Sequence, residues 1–367
     1  MKLFYIDPQS YHNLADYDMY LLSNINAEKH FFCSEKFDYK IDDNTKIDKC
    51  FFYNSLKGMR KIFSYINTLI YIIKNTKKHQ PDILHFQWFK IPLIDYLFLK
   101  IIKILSKKTY IVFTAHNIVP HNTGDKYKKN YKKIYKYVDG IIVHGNQTKK
   151  DLVEIFNVDK EKIVVIPHGF LPRKKNSKKI ERESSSLTFS LIGSLSQYKG
   201  VDLLIDAWCS SPMLSSNISC RLIIAGSGMM SCLEKVENYP NVQLINRFVS
   251  DEELDEIICQ TDVAILPYRM ISQSGVLLTM LAEKIPVIVA KVGELVQPFE
   301  VACCGWILPN LDVTSLRLLL EKIVIDKTVV DKIKNDIVSW KKIEKFYSWK
   351  EIGKTTTAFY VSLCKKI

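Results

Sequence analysis

Residues 187–204 read LTFSLIGSLSQYKGVDLL. Leu187–Ile192 is a short apolar run, Gly193 to Gly200 a polar loop, and Val201, Leu203, Leu204 and Ala207 recur at helical spacing. Strand, glycine-bearing loop and helix in that order describe one βα unit of a parallel sheet. Gly193 lets the backbone turn closely, and Lys199 can then set a point charge against a diphosphate held by the loop. The competing reading of this fragment is an ordinary βα turn with a surface lysine.

Outward from this unit the pattern repeats. Short apolar runs occur at Leu222–Ala225, Val242–Ile245, Val263–Leu266, Val287–Ala290 and Trp306–Leu308. In the first half they lie at Leu3–Ile6, Phe31–Cys33, Cys50–Tyr53, Asp82–Phe86, Tyr110–Thr114, Gly140–Val143 and Ile163–Ile166. Helix-like stretches such as Asp18–Asn26 and Thr148–Phe156 fall between them. Near-continuous apolar strands alternating with helices predict an α/β protein whose parallel sheets are covered on both faces. Two such series in 367 residues predict two doubly wound, Rossmann-like domains facing a cleft. The polar stretch RKKNSKKIERESSS divides them. The expected parts are a domain over 1–172, a linker over 173–186, a second domain over 187–340, and C-terminal helices over 341–367 that cross back to the first.

Bulk composition narrows the function. The chain is 47% hydrophobic and 25% charged, as a packed globular protein is. Its net charge of +13 points to an anionic partner: nucleic acid, a membrane surface or a phosphorylated substrate. Nine cysteines without a C-x-x-C pair, and no His/Cys set at zinc spacing, predict reduced thiols and no metal. The opening Leu3–Ile6 run followed by Asp7-Pro8 reads as a strand and its loop, not as a secretory leader. Ile62–Ile73 is too short to span a bilayer, and Asp95, Lys100 and Lys103 interrupt Ile91–Leu105. A cytoplasmic protein follows.

In open parallel sheets ligands bind where strands end and helices begin. Four motifs sit there. Beyond Gly193–Gly200, Ser272-Gln273-Ser274-Gly275-Val276 precedes the helical run Leu277 to Glu283, a place where amides and the helix dipole favour an anion. A plain serine N-cap explains the same residues equally well. Thr114-Ala115-His116-Asn117 ends a strand and leads to His121; His116 there can bond a sugar hydroxyl or move a proton, or merely orient its loop. His168, in Ile166-Pro167-His168-Gly169, reads as a packing residue at the domain junction. Asp16-Tyr17-Asp18 matches a metal-binding D-x-D pattern but is read as capping carboxylates ahead of the first helix, with no partner carboxylate.

Three basic clusters mark the first half: Lys126 to Lys136, with Tyr127, Tyr131, Ile134 and Tyr135 at helical spacing; Lys100, Lys103, Lys107 and Lys108 after Leu93–Leu99; and Lys74, Lys77 and Lys78. Lysines beside an apolar stripe suit adsorption to an anionic leaflet. A solvated lysine face over a core-facing stripe is the alternative. No nucleic-acid module is evident.

Taken in order, TAHN at 114–117, VIPHG at 165–169, IGSLSQYKGVDLL at 192–204, LIIAGSG at 222–228, TDVAILPY at 261–268, SQSGVLL at 272–278, PVIVAKVGEL at 286–295 and FYSWKEI at 346–352 resemble the retaining family 4 glycosyltransferases of the GT-B fold, of the bacterial O-antigen and capsule type. The resemblance covers nearly the whole chain. It implies transfer of a hexose-type sugar from a UDP- or GDP-type sugar nucleotide to a glycan or lipid-linked acceptor, without a cofactor. It implies that Lys199 and the Ser272–Val276 backbone bind the diphosphate with Gly193 and Ser194. His116 would line the sugar and acceptor site, and Gly226 with Asn246-Arg247-Phe248-Val249 would lie near the base. The family's loop arginine is replaced here by Ser194 and Ser196, and its paired glutamates by Ile271 and Thr279. Thr279 or Glu283 is then the candidate for the ribose. A sugar-nucleotide epimerase on the same architecture, or a non-catalytic partner subunit, are the rival readings.

Overall fold

In a computed structural model the described residues are 1–52, 55–119, 126–171 and 186–365. The expected linker at 173–186, apart from Ser186, lies outside them, as do Tyr53 and His121. The chain divides into two compact units. One comprises Met1–Gly169 with Tyr347–Ile367, the other Phe170–Phe346.

The first unit holds β1 (Lys2–Asp7), β2 (Glu28–Ser34), β3 (Thr45–Phe51), β4 (Ile83–Phe86), β5 (Tyr110–Thr114), β6 (Gly140–Val143) and β7 (Ile163–Val165). They form one parallel sheet in the order β3-β2-β1-β4-β5-β6-β7. The second unit holds β8 (Leu187–Ile192), β9 (Cys220–Gly226), β10 (Val242–Asn246), β11 (Val263–Leu266), β12 (Val287–Val289) and β13 (Gly305–Ile307), parallel in the order β10-β9-β8-β11-β12-β13. The two-sheet α/β architecture is the one expected. Each unit has its own core, the first around Phe4, Leu84, Ile111 and Ile141, the second around Phe189, Trp208, Leu222 and Leu320.

The order of strands fixes where chemistry can sit. The order in which strands are added reverses between β1 and β4 in one sheet and between β8 and β11 in the other. At such switch points the loops leaving the strands part, and a crevice opens at the carboxyl ends.

Three expectations are corrected. The strand expected at Cys50–Tyr53 spans Thr45–Phe51, because the edge sequence TKIDKCF is mostly polar and shows its apolar signal only at the end. The first helix is Asn13–Asn24, so Asp16-Tyr17-Asp18 lies inside it and does not cap it. Asp18 is buried, accepts a 2.8 Å bond from the Tyr5 hydroxyl, and does have a carboxyl partner, Asp7 at the end of β1. Among the described residues no third metal-ligating side chain joins them. Finally, Tyr131, Ile134 and Tyr135 of the helix Lys128–Tyr137 are buried, so the aromatic stripe among the Lys126–Lys136 lysines belongs to the core.

Candidate active site

In the second unit, the loops after β8 and β11 flank the switch point and are bolted together. Gly200 has φ +71°, and a Cβ there would stand 2.1 Å from the Pro267 carbonyl oxygen. Arg269 donates to Asp202 through both terminal nitrogens, at 2.7 and 2.8 Å, and its amide donates to the Tyr198 carbonyl at 2.8 Å. These contacts fix the turn Gln197–Lys199 against Pro267-Tyr268-Arg269. Lys199 is buried as a result. Its ammonium lies 3.8 Å from the centroid of the Tyr268 ring and 5.4 Å from that of Tyr198. Burial pulls its pKa down to about 8.

Tyr268 connects Lys199 to the second motif. Its buried hydroxyl faces Ser274. Ser274 is the N-cap of the helix Gly275–Ala282 and accepts a 3.2 Å bond from the Leu277 amide. The Gly275 and Val276 amides belong to the first turn, where a helix supplies no acceptors of its own. A Cβ on Gly275 would meet open space, and one on Gly193 would touch only Val276, at 3.9 Å. Thr279 is half-buried one turn beyond Gly275, on the same side of the helix. Ser272 and Gln273 form the approach to the cap, and Ser194, exposed, has its hydroxyl 3.2 Å from that of Tyr198.

The remaining candidates lie further along the sheet. Gly226, φ +146°, packs so closely that a Cβ would stand 1.7 Å from the Gly193 oxygen. Arg247 follows the edge strand β10, two strands from β8, and forks onto Glu253. The same carboxylate closes a capping box with Ser250 and is held near pKa 2 by Arg247. Arg247 is therefore engaged, while Phe248 beside it is 82% exposed.

In the first unit, the carboxyl ends of β4 to β7 carry a row of imidazoles. His116 Nε2 lies 2.8 Å from Gln87 Oε1, and His116 Nδ1 lies 3.1 Å from His144 Nε2. His144 Nδ1 meets the Ile166 carbonyl at 2.9 Å. Gln87 also reaches His85 and Thr114, and the Tyr360 hydroxyl stands 2.6 Å from His85 Nδ1. Trp88 stacks on His116 with ring centroids 4.7 Å apart. Tyr17 makes edge contacts with both His116 and His144. His168 packs against Tyr17, His144 and Trp349, its Nδ1 2.8 Å from the Gly169 carbonyl. Burial holds His85 and His144 near pKa 3; burial and the neighbouring imidazoles hold His116 well below the usual histidine range. A cavity of about 940 Å³ opens at the opposite, amino-terminal end of this sheet, by Met1, Glu28 and Thr45, and its lining mixes lysines with carboxylates.

Sequence reasoning singled out Lys199 and Ser272–Val276, which the fold brings together, and His116. It passed over Tyr268, Arg269 and Asp202, and in the first unit Gln87, His85, His144 and Tyr360. One signal was present: His144 ends an apolar strand, just as the TAHN motif follows one.

Two family models match the chain. "Glycosyltransferase Family 4" matches residues 28–172 and "Glycosyl transferases group 1" matches residues 186–324. The chain belongs to the family 4, group 1 glycosyltransferases of the GT-B fold. It is 26% identical over 242 residues to "Uncharacterized glycosyltransferase MJ1607" of Methanocaldococcus jannaschii, covering 60% of this chain and 59% of that one. Against MJ1059 of the same organism the match spans 48% of the relative's length. A 41.2 kDa protein in the cps region of Klebsiella pneumoniae is 25% identical over 253 residues, covering 64% and 67% of the two chains. Among solved structures, Anabaena Alr3699/HepE in complex with UDP and glucose aligns over 99% of this chain and 100% of that one, at TM-score 0.69 and 12% identity. The lipopolysaccharide outer core galactosyltransferase WaaB aligns over the same shares at TM-score 0.64 and 18% identity. At these identities the likeness is one of fold.

Proposed function

We propose that the protein moves a hexose-type sugar from a UDP- or GDP-type sugar nucleotide to a glycan or lipid-linked acceptor of surface polysaccharide synthesis, with retention and without a metal. The observation that carries this reading is the row Lys199, Tyr268, Ser274 and Gly275 at the β8/β11 switch point. The HepE complex with UDP and glucose, and the Klebsiella cps-region relative, support the substrate class.

In the reaction, the bond from the anomeric carbon to the diphosphate oxygen breaks and its electron pair leaves with the diphosphate. The acceptor hydroxyl oxygen bonds to that carbon from the same face, and its proton passes to the departing phosphate oxygen. Charge therefore grows on the diphosphate as the sugar becomes oxocarbenium-like. Lys199 and the amides of Gly275 and Val276 meet that growing charge, which stabilises the transition state more than the ground state. Gly193 and Ser194 leave room for the phosphates, Gly226 and Phe248 border the base, and Thr279 reaches the ribose. His116 lines the sugar and acceptor side.

The protein works at the cytoplasmic membrane face. Among the described residues no helix is long and apolar enough to cross a bilayer. The helices Gly58–His79 and Pro92–Leu105, however, expose Met59, Phe63, Leu97, Ile101 and Ile104. Arg60, Lys61 and Lys100 lie among them in sequence and Lys107 follows, a composition that suits an anionic leaflet. A panel of UDP- and GDP-sugars with a lipid-linked acceptor, read by mass spectrometry, tests the reading. A product heavier by one hexose is expected; release of an epimerised nucleotide without acceptor overturns it.

A further inference from the structure

The contacts along the imidazole row admit few proton arrangements. The Ile166 carbonyl only accepts, so His144 carries a proton on Nδ1. An uncharged His144 then offers a lone pair at Nε2, and His116 must donate to it from Nδ1. An uncharged His116 in turn offers a lone pair at Nε2, so the Gln87 group against it is the amide nitrogen, with the amide turned end for end. The rest then resolves without conflict. The Gln87 oxygen accepts from Thr114, Thr114 accepts from His85 Nε2, and His85 Nδ1 accepts from the Tyr360 hydroxyl. Each link is satisfied and all point one way. The other amide orientation requires an imidazolium, either at His144, which burial opposes, or at His116, donating from both nitrogens. Around it stand His85, His144, His168, Trp88 and Tyr17, and the carboxyls Asp7 and Asp18 bear on Tyr17. Burial among three other imidazoles opposes that charge.

We propose that Gln87 and His144 are positioning residues that hold His116 as an uncharged imidazole protonated at Nδ1. The inference rests on the reading that His116 lines the substrate side. It goes further in two respects. With both nitrogens engaged, resting His116 does not serve as a general base. A substrate hydroxyl reaches Nε2 only by taking the place of the Gln87 amide.

The test is long-range ¹H–¹⁵N spectroscopy on the full chain labelled at histidine, with His116→Asn to assign the signals. At pH 7.5 the expected His116 pattern is a protonated Nδ1 and an unprotonated Nε2. A proton on Nε2 alone, or on both nitrogens, overturns the proposal. Gln87→Glu places an acceptor-only carboxylate between the rings and is expected to put a proton on His116 Nε2 at pH 7.5, with an imidazolium at His116 or His144. A His116 Nε2 left unprotonated by this variant also overturns it. Gln87→Met, similar in volume and without either bond, leaves His144 to hold the proton on Nδ1 and is expected to free Nε2, moving its ¹⁵N signal and lowering kcat several-fold with little change in KM. An unchanged Nε2 signal there counts against Gln87. The wild-type spectrum decides even where a variant fails to fold. Absence of sugar transfer by every form, with the expected spectra, refutes the functional reading and leaves the tautomer assignment standing.

Discussion

The ammonium of Lys199 stands 3.8 Å from the centroid of the Tyr268 ring, within range of the attraction between a cation and the ring's electron-rich face. A lysine held this way stays aimed without a carboxylate that would cancel its charge. Lys199→Ala is expected to cut kcat/KM by about 10²- to 10³-fold, the usual loss when one preorganised donor is removed, with an unchanged circular dichroism spectrum. Tyr268→Leu should cost less, roughly 2- to 30-fold, corresponding to about 0.5–2 kcal/mol of lost cation–ring attraction. The lysine's pKa near 8 adds a sign: it is charged below that pH and loses its proton above it. The free-enzyme rate should therefore decline above pH 8, and turnover unaffected by either substitution would remove Lys199 from the mechanism.

Backbone contact between the loops after β8 and β9 leaves no space for a methyl group at Gly226. Gly226→Ala should destabilise the second unit by about 1–3 kcal/mol, the range for strain at a positive φ and a forced loop shift. Gly275→Ala, whose Cβ would enter open space, should leave stability nearly unchanged while weakening nucleotide binding. Urea unfolding and calorimetric titration with UDP and GDP separate the two.

Asp7 is a buried carboxyl beside Asp18, with its pKa raised by burial to about 7. The sign follows from linkage. A folded pKa above the unfolded one means that the native state holds a proton the unfolded state releases, so this group's contribution is most favourable at low pH and is lost as pH rises from about 4 to 7. Asp7→Asn keeps the shape and the acceptor for the Gln9 amide while removing the ionisation. It should raise the urea midpoint, by more at pH 8 than at pH 4. The reverse order would show that the ionised pair stabilises the fold. His85 and His144 act in the opposite sense in the wild type: their lowered pKa values withdraw stability as pH falls from about 6.5 towards 3.

On the helix Pro92–Leu105, Leu97, Ile101 and Ile104 are spaced three and four residues apart and are all exposed, Ile104 to 69%. Replacing the three by serine should leave stability nearly unchanged and release the protein from vesicles containing anionic phospholipid, measured by co-sedimentation at low salt. If binding persists, another surface makes the contact.

Most of the fold was legible because strands buried on both faces write themselves as continuous apolar runs; Leu187–Ile192 and Gly140–Val143 are read with the bounds the structure gives. The reading failed where solvent changes the pattern. β3, at the edge, alternates Lys46, Asp48 and Lys49 with Ile47 and so lacks that signature. The first helix hides its start behind His12, a residue at φ 50°. Its buried face carries Tyr17 and Asp18, polar groups whose partners lie in other elements, as the Tyr5 hydroxyl of β1 does for Asp18.

The Lys199 turn and the Ser274 cap were legible because each is a local loop motif. Tyr268, which joins them, was not, since a ring beneath an ammonium is a relation between distant loops. Gln87, His85 and His144 escaped for the same reason. Each looks like one polar residue at the end of a strand, and they become a chain only when β4, β5, β6 and β7 lie side by side.

The helix Trp349–Cys364 packs against the helix Asn13–Asn24 so tightly that a Cβ on Gly353 would stand 2.3 Å from the Asn24 oxygen, and its Tyr360 supplies the first link to His85. During synthesis the ribosome makes the helix Asn13–Asn24 before the second unit and the helix Trp349–Cys364 after it. The second unit can therefore complete its own core while the earlier helix still waits for its partner to emerge. Asn13–Asn24 thus reaches its native packing after residues translated well behind it, and a nascent chain stalled before Trp349 should leave the first unit protease-sensitive beside a resistant second one.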